Sequence, residues 1–228
     1  MTFQTQVTHA ASARALLLGS IALAVTSLMF LASLHVLAPE LDPSWHMVSE
    51  YAFGSHGLAL SVFFWCWGLA SMAVALGVYP LATTRVHKLG AALVFVSGVG
   101  ACAGGLFDIR HELHGLAFAL GIPTLPAGAL MLTSLLTRLA PGQRTLLRAA
   151  AHTTWLSILG MAVSMALFIA SLKAAGAFNP ESKEVLKELP AGVSTVVGYA
   201  NRFLVVAYIG WLMTAAVTVQ RGTRSAKD

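Results

Sequence analysis

The chain has 228 residues, of which 57% are hydrophobic and only 10% charged. Soluble domains carry about 25% charged residues, so this composition excludes a chain that covers itself with a water-facing surface. The net charge of +5 does not indicate nucleic-acid binding, because the basic residues are scattered between apolar runs and form no stripe. They read as topology signals.

The length suits a single transmembrane domain over residues 1–228. Charge-free runs place six spans at roughly 15–37, 57–79, 89–107, 115–137, 150–172 and 201–220, each near the length that crosses a bilayer. In lipid a span must satisfy its own backbone, which a helix does. The expected fold is therefore an all-α six-transmembrane-helix bundle.

The first run ends in Val36-Leu37-Ala38, which resembles a signal-peptide cleavage site. The run is longer than a secretory apolar region and Pro39 follows the site, so an uncleaved helix is expected. Cys66 and Cys102 fall inside apolar runs and read as small buried hydrophobes, with no metal or disulfide spacing. In the third span Gly100 and Gly104 form a small-xxx-small pair among further glycines and alanines, which predicts a central, closely packed helix. The fourth span carries Pro123 and Pro126, which should kink it and free backbone carbonyls. A packing kink and a cavity explain these prolines equally well. After the fifth span, Asn179 as N-cap, Pro180 at the first turn and Val185, Leu186 and Leu189 on one side predict an interfacial helix over 180–189.

With the N-terminus inside, the inner segments hold Arg14, Arg85, Lys88, Arg138, Arg144, Arg148, Arg221, Arg224 and Lys227, and the outer ones Arg110, Lys173, Lys183, Lys187 and Arg202. That asymmetry places both termini in the cytoplasm. It also gathers the polar chemistry at the outer face, in His46-Met47-Val48-Ser49-Glu50-Tyr51, in Asp108-Ile109-Arg110-His111-Glu112-Leu113-His114 and in Asn201-Arg202. Ionisable groups at span ends face water or pair, and Arg202 is expected to pair with Asp108, or else with Glu50.

Ser49-Glu50-Tyr51-Ala52 followed by Gly54, Gly105-Leu106-Phe107-Asp108 with His114, and Asn201-Arg202-Phe203-Leu204 with Trp211 carry a resemblance. In these motifs and their order the chain, from about residue 15 to 220, resembles the bacterial and archaeal membrane proteins grouped as domain of unknown function 998. It departs at Phe107, where a proline usually precedes the aspartate. The resemblance implies a six-helix bundle in a bacterial cytoplasmic membrane and no particular activity.

The function read from these residues is binding of a lipid head group or small ligand in an outward-facing polar pocket. Ser49, Glu50, Tyr51, Asp108, His114 and Arg202 are the candidate ligand-binding residues, and Ser49, Asp108, His114 and Arg202 are expected to converge on one site. A second reading is a metal-dependent lipid hydrolase in which His46, His111, His114 and Asp108 hold zinc that activates water. A third is an accessory subunit whose polar cluster is purely structural. Haem ligation lacks facing mid-depth histidines, since His35 lies near the outer end of the first span and His152 near the inner end of the fifth. Ion-coupled transport lacks an ionisable group in mid-span. Membrane lipids are the expected partners. A protein partner, a homo-oligomer and any catalytic activity stay open.

Overall fold

The computed structural model describes residues 3–179 and 186–225. These form six α-helices and no strand: α1 (Phe3–Leu37), α2 (Gly57–Val78), α3 (Arg85–Leu106), α4 (His114–Leu139), α5 (Arg144–Ala174) and α6 (Val197–Ser225). Each contains a stretch long and apolar enough to cross a membrane, the shortest being 22 residues. At 1.5 Å per residue that is about 33 Å, against a hydrocarbon core of about 30 Å. The protein is a multi-pass membrane protein.

Several helices run past the charge-limited spans. α5 begins at Arg144 rather than near residue 150, because arginines extend to the interface and do not stop a helix. The interfacial helix expected over 180–189 falls partly outside the described residues, at 180–185. Residues 186–189 form a bend without helix.

α3 packs closely against α2 and α4, but the central place expected for it falls to α6, the most buried span, which touches α1, α2, α4 and α5. A Cβ at Gly100 would collide with the backbone nitrogen of Gly121 on α4, so the two backbones touch directly. α6 closes the core with Tyr208, Trp211 and Leu212, all buried, and Tyr208 meets Trp67 of α2 edge-on at 5.9 Å.

The prolines of α4 leave the helix continuous from His114 to Leu139. Pro126 has no N–H to give the carbonyl of Ile122 four residues earlier, and an unpaired carbonyl in an apolar core is costly. The hydroxyl of Tyr208 donates to that carbonyl at 2.6 Å, and Ser97 on α3 donates to the carbonyl of Gly121 at 2.6 Å. Tyr208→Phe should therefore destabilise the bundle by about 1–3 kcal/mol. Adding Pro126→Ala should recover part of the loss, because the new N–H reaches the Ile122 carbonyl. Thermal unfolding of the single and double variants checks this, and a double variant no more stable than Tyr208→Phe counts against it.

Candidate functional site

The turns after α1, α3 and α5 meet at one end of the bundle, with the N-termini of α2, α4 and α6. The segment after α1 is pinned onto α6. The Gly198 N–H donates to the Ser44 carbonyl at 3.0 Å, and the Val48 N–H donates to Asn201 Oδ1 at 2.9 Å. A Cβ at position 198 would lie 2.5 Å from the Pro43 carbonyl oxygen and 2.7 Å from that of His46, so only glycine permits this approach. Residues 48–53 then form a short 3-10 turn. It starts where the Glu50 carboxylate accepts the Met47 N–H at 2.7 Å.

Arg202 is the hub of this end. Its Nε donates to His35 Nε2 at 2.7 Å. One terminal nitrogen donates to the His46 carbonyl at 2.6 Å and to its own helix at Gly198, 3.1 Å. The other donates to the Tyr51 hydroxyl at 3.0 Å, and the guanidinium lies 5.7 Å from the Tyr51 ring centre. Four of its five N–H donors are thus committed. His35 Nδ1 lies 2.7 Å from the Leu31 carbonyl. Since arginine only donates and a carbonyl only accepts, His35 is the neutral ring with its proton on Nδ1.

The pairing of Arg202 with Asp108 or Glu50 is not formed. Every hydrogen-bond partner of Arg202 among the described residues is neutral, and Asp42 meets it only through the longer-range field. Asp108 instead pairs with Arg110, two residues on, whose side chain reaches both carboxylate oxygens. The turn after α3 closes on itself through this pair, and the Arg110 N–H adds a bond to Asp108 Oδ1 at 2.9 Å. The Arg110 side chain and backbone hold the Asp108 carboxyl below the usual carboxylate range. The stability this adds is present above the ordinary carboxylate value of about 4 and fades as pH falls below it. It is modest, because the pair is exposed. Glu50 Oε2 lies 3.0 Å from His46 Nδ1, on a ring that is buried and stacked on Trp45 at 3.6 Å.

The candidate ligand-binding residues therefore divide. Tyr51 and Arg202 tie the 3-10 turn to α6, Glu50 holds His46, and Asp108 serves its own turn. Ser49 and His114 share a cavity with Asn201. The metal set is not assembled. His46 faces Glu50, His111 Nδ1 accepts the Leu113 N–H at 3.1 Å, and His114 Nδ1 bonds the Phe107 carbonyl at 2.9 Å. Among the described residues no three His, Cys, Asp or Glu side chains gather as a metal ion requires.

The cavity measures about 490 Å³ and lies between α2, α3, α4, α5 and α6. Small residues make the room: Gly100, Ala101 and Gly104 on α3, and Ala117 and Gly121 on α4. Phe64, Trp67, Met161 and Leu204 give it an apolar interior. Ser49, His114 and Asn201 form its polar end. Asn201 Oδ1 is committed to Val48, which leaves the amide NH₂ as a donor. His114 donates through Nδ1, which leaves Nε2. A second cavity of about 450 Å³ adjoins it through Met47, Ile109 and Met165 and is lined by Trp45, Glu50 and Phe168.

A family model described as protein of unknown function, DUF998, matches residues 20–218. The chain belongs to this family. No curated protein and no solved structure matches the chain. Within this DUF998 protein, the motifs at residues 49–54 and 201–204 lie in the two segments that the Asn201 and Arg202 bonds tie together. Sequence reasoning missed the Arg202–His35 bond. The signal was available: α1 ends and α6 begins at the same end of the bundle, so a histidine and an arginine there are within reach.

Proposed function

We propose that the protein binds a membrane amphiphile, with the apolar chain in the cavity between α2 and α6 and the head group at Ser49, His114 and Asn201. The observation that carries this reading is an apolar cavity of about 490 Å³ lined also by three polar groups, of which Asn201 and His114 have hydrogen-bonding capacity to spare. Sites for small molecules have this composition, largely apolar walls with few polar groups that fix orientation. Glu50 borders the adjoining cavity and offers a negative charge to a head group that carries a cation. Arg202 does not line this cavity and acts on it by holding residues 46–51, the segment that carries Ser49.

We place the protein in a bacterial cytoplasmic membrane with both termini inside, so that the head-group end faces outward. Phosphatase fusions active at residues 45 and 112 and silent at 85 and 142 check that orientation.

A lipid carrying a photoactivatable acyl chain tests the binding. Cross-links should concentrate on Phe64, Phe118 and Met161, which line the cavity. They should fall in the presence of unlabelled cell lipid extract. Cross-links spread evenly over the outer helix faces would instead mean bulk solvation of the bundle, and the binding reading would fail.

A further inference from the structure

The opposite end of the bundle carries a site of different chemistry, independent of the amphiphile cavity. Where α4 turns into α5, a cavity of about 590 Å³ is lined by Arg138, Arg144 and Arg148 together with Thr133, Ser134 and Thr137. The arginines come from two helices. Arg138 sits in the last turn of α4. Arg144 and Arg148 are four apart at the start of α5 and so share a face. No carboxylate lines the cavity, and none of the three arginines has a carboxylate partner among the described residues. Thr133 and Thr137 spend their hydroxyls on the carbonyls of Ala129 and Ser134, at 2.8 and 3.1 Å. Ser134 Oγ is fixed by His87 Nε2 at 2.8 Å. The guanidinium groups are therefore the donors left to serve an occupant.

The three arginines are exposed, and with no carboxylate on the cavity an anion supplied from outside is the partner that their charge fits. The start of α5 favours the same sign, since its first turn holds no acidic residue and Gln143 provides no side-chain cap. Orientation in the membrane accounts for basic residues at this end. It does not account for their convergence from two helices on one cavity. The spans end here, so the cavity lies at the depth of lipid head groups, where arginine forks match phosphate oxygens.

We propose that this cavity seats the phosphate of an anionic membrane lipid, held by Arg138, Arg144 and Arg148. The test uses the full chain in nanodiscs of mixed phosphatidylglycerol and phosphatidylcholine, with retained lipid counted by native mass spectrometry. Wild type should retain phosphatidylglycerol preferentially, and each arginine changed to glutamine should weaken that preference about fivefold. Arg138→Gln/Arg144→Gln/Arg148→Gln should abolish it. Arg14→Gln/Arg85→Gln/Lys88→Gln, which removes equal charge from the same end, should preserve it. Thermal unfolding is followed in each variant, and the single Arg148→Gln serves should the triple variant not fold. No preference in wild type, retention in the triple variant, or equal loss in the control would each overturn the site. Inorganic phosphate and glycerol phosphate form a further arm. Should they stabilise the arginine-bearing protein as well as the lipid does, the occupant is a soluble phosphate and the lipid assignment is overturned.

Discussion

Arg202→Met should lower stability by about 2–4 kcal/mol, the largest loss expected from any polar substitution at the head-group end. The side chain ties α6 to α1 through His35, to the following turn through the His46 carbonyl, and to the 3-10 turn through Tyr51. Methionine fills a similar volume and removes every one of these donors. The acceptors left behind lie in half-buried or buried positions where water replaces the lost bonds poorly. Arg202→Lys keeps the charge and loses the fork, so it should recover only a minor share. Asp108→Asn should leave stability near that of wild type, because its partner Arg110 is exposed. The two sites share no partner, so the double variant should be additive to within about 0.5 kcal/mol. A larger coupling in a double-mutant cycle would mean that Arg202 and Asp108 do pair, contrary to the geometry.

Gly100→Ala should be more damaging still, and far worse than the same change at its neighbour Gly121. The methyl at position 100 would run into the Gly121 backbone, and a backbone cannot rotate away. α3 and α4 would have to separate along their closest contact. The expected cost lies in the exceptional range above about 4 kcal/mol. A methyl at position 121 meets Ala101 N and Gly100 C at 3.4 Å, a distance that small shifts accommodate, and alanine favours the helix by about 1 kcal/mol over glycine. The asymmetry is the test. Size-exclusion profiles and unfolding temperatures in detergent should show Gly121→Ala folded and Gly100→Ala aggregated or strongly destabilised. Equal behaviour of the two variants would contradict the packing of α3 against α4.

The number and order of the helices were legible in the sequence because lipid imposes a length and a charge pattern on every span. The glycines of α3 announced its close packing, since small residues in an apolar run have no better use than close approach, but not its place, because the buried middle of the bundle falls to α6. The partners of polar groups were less legible. Asp108 and Arg202 have opposite charges at one end of the bundle, which made them a natural pair. Arg110 is two residues from Asp108 and closes the local turn at little entropic cost, so the nearer cation takes the carboxylate. His35 was placed near the outer end of the first span, and there it is the neutral acceptor for a guanidinium that has no carboxylate within hydrogen-bond reach. The histidines at 46, 111 and 114 share a face of the membrane, but each is claimed by a neighbouring carboxylate or backbone group. Helical spacing alone does not reveal that. The prolines of α4 left a packing kink and a cavity equally open, and neither Pro123 nor Pro126 lines the cavity. Its walls come from α2 to α6, and no local pattern encodes such an enclosure.

The most direct test of the account is to fill the cavity and count what leaves. Gly104 and Ala162 both line it, a Cβ at Gly104 meets the Phe64 ring at an ordinary 3.7 Å, and Gly104→Leu and Ala162→Phe each add bulk at the cavity lining. Each variant, purified in mild detergent beside wild type, is compared by thermal unfolding and by mass spectrometry of co-purified lipid. The account predicts that wild type carries a bound amphiphile close to one per chain. Both variants should stay folded, with an unfolding temperature at or above that of the ligand-free protein, and should lose the amphiphile. Wild-type levels of the same bound amphiphile in both folded variants, or no bound amphiphile in wild type purified under the same conditions, would contradict it.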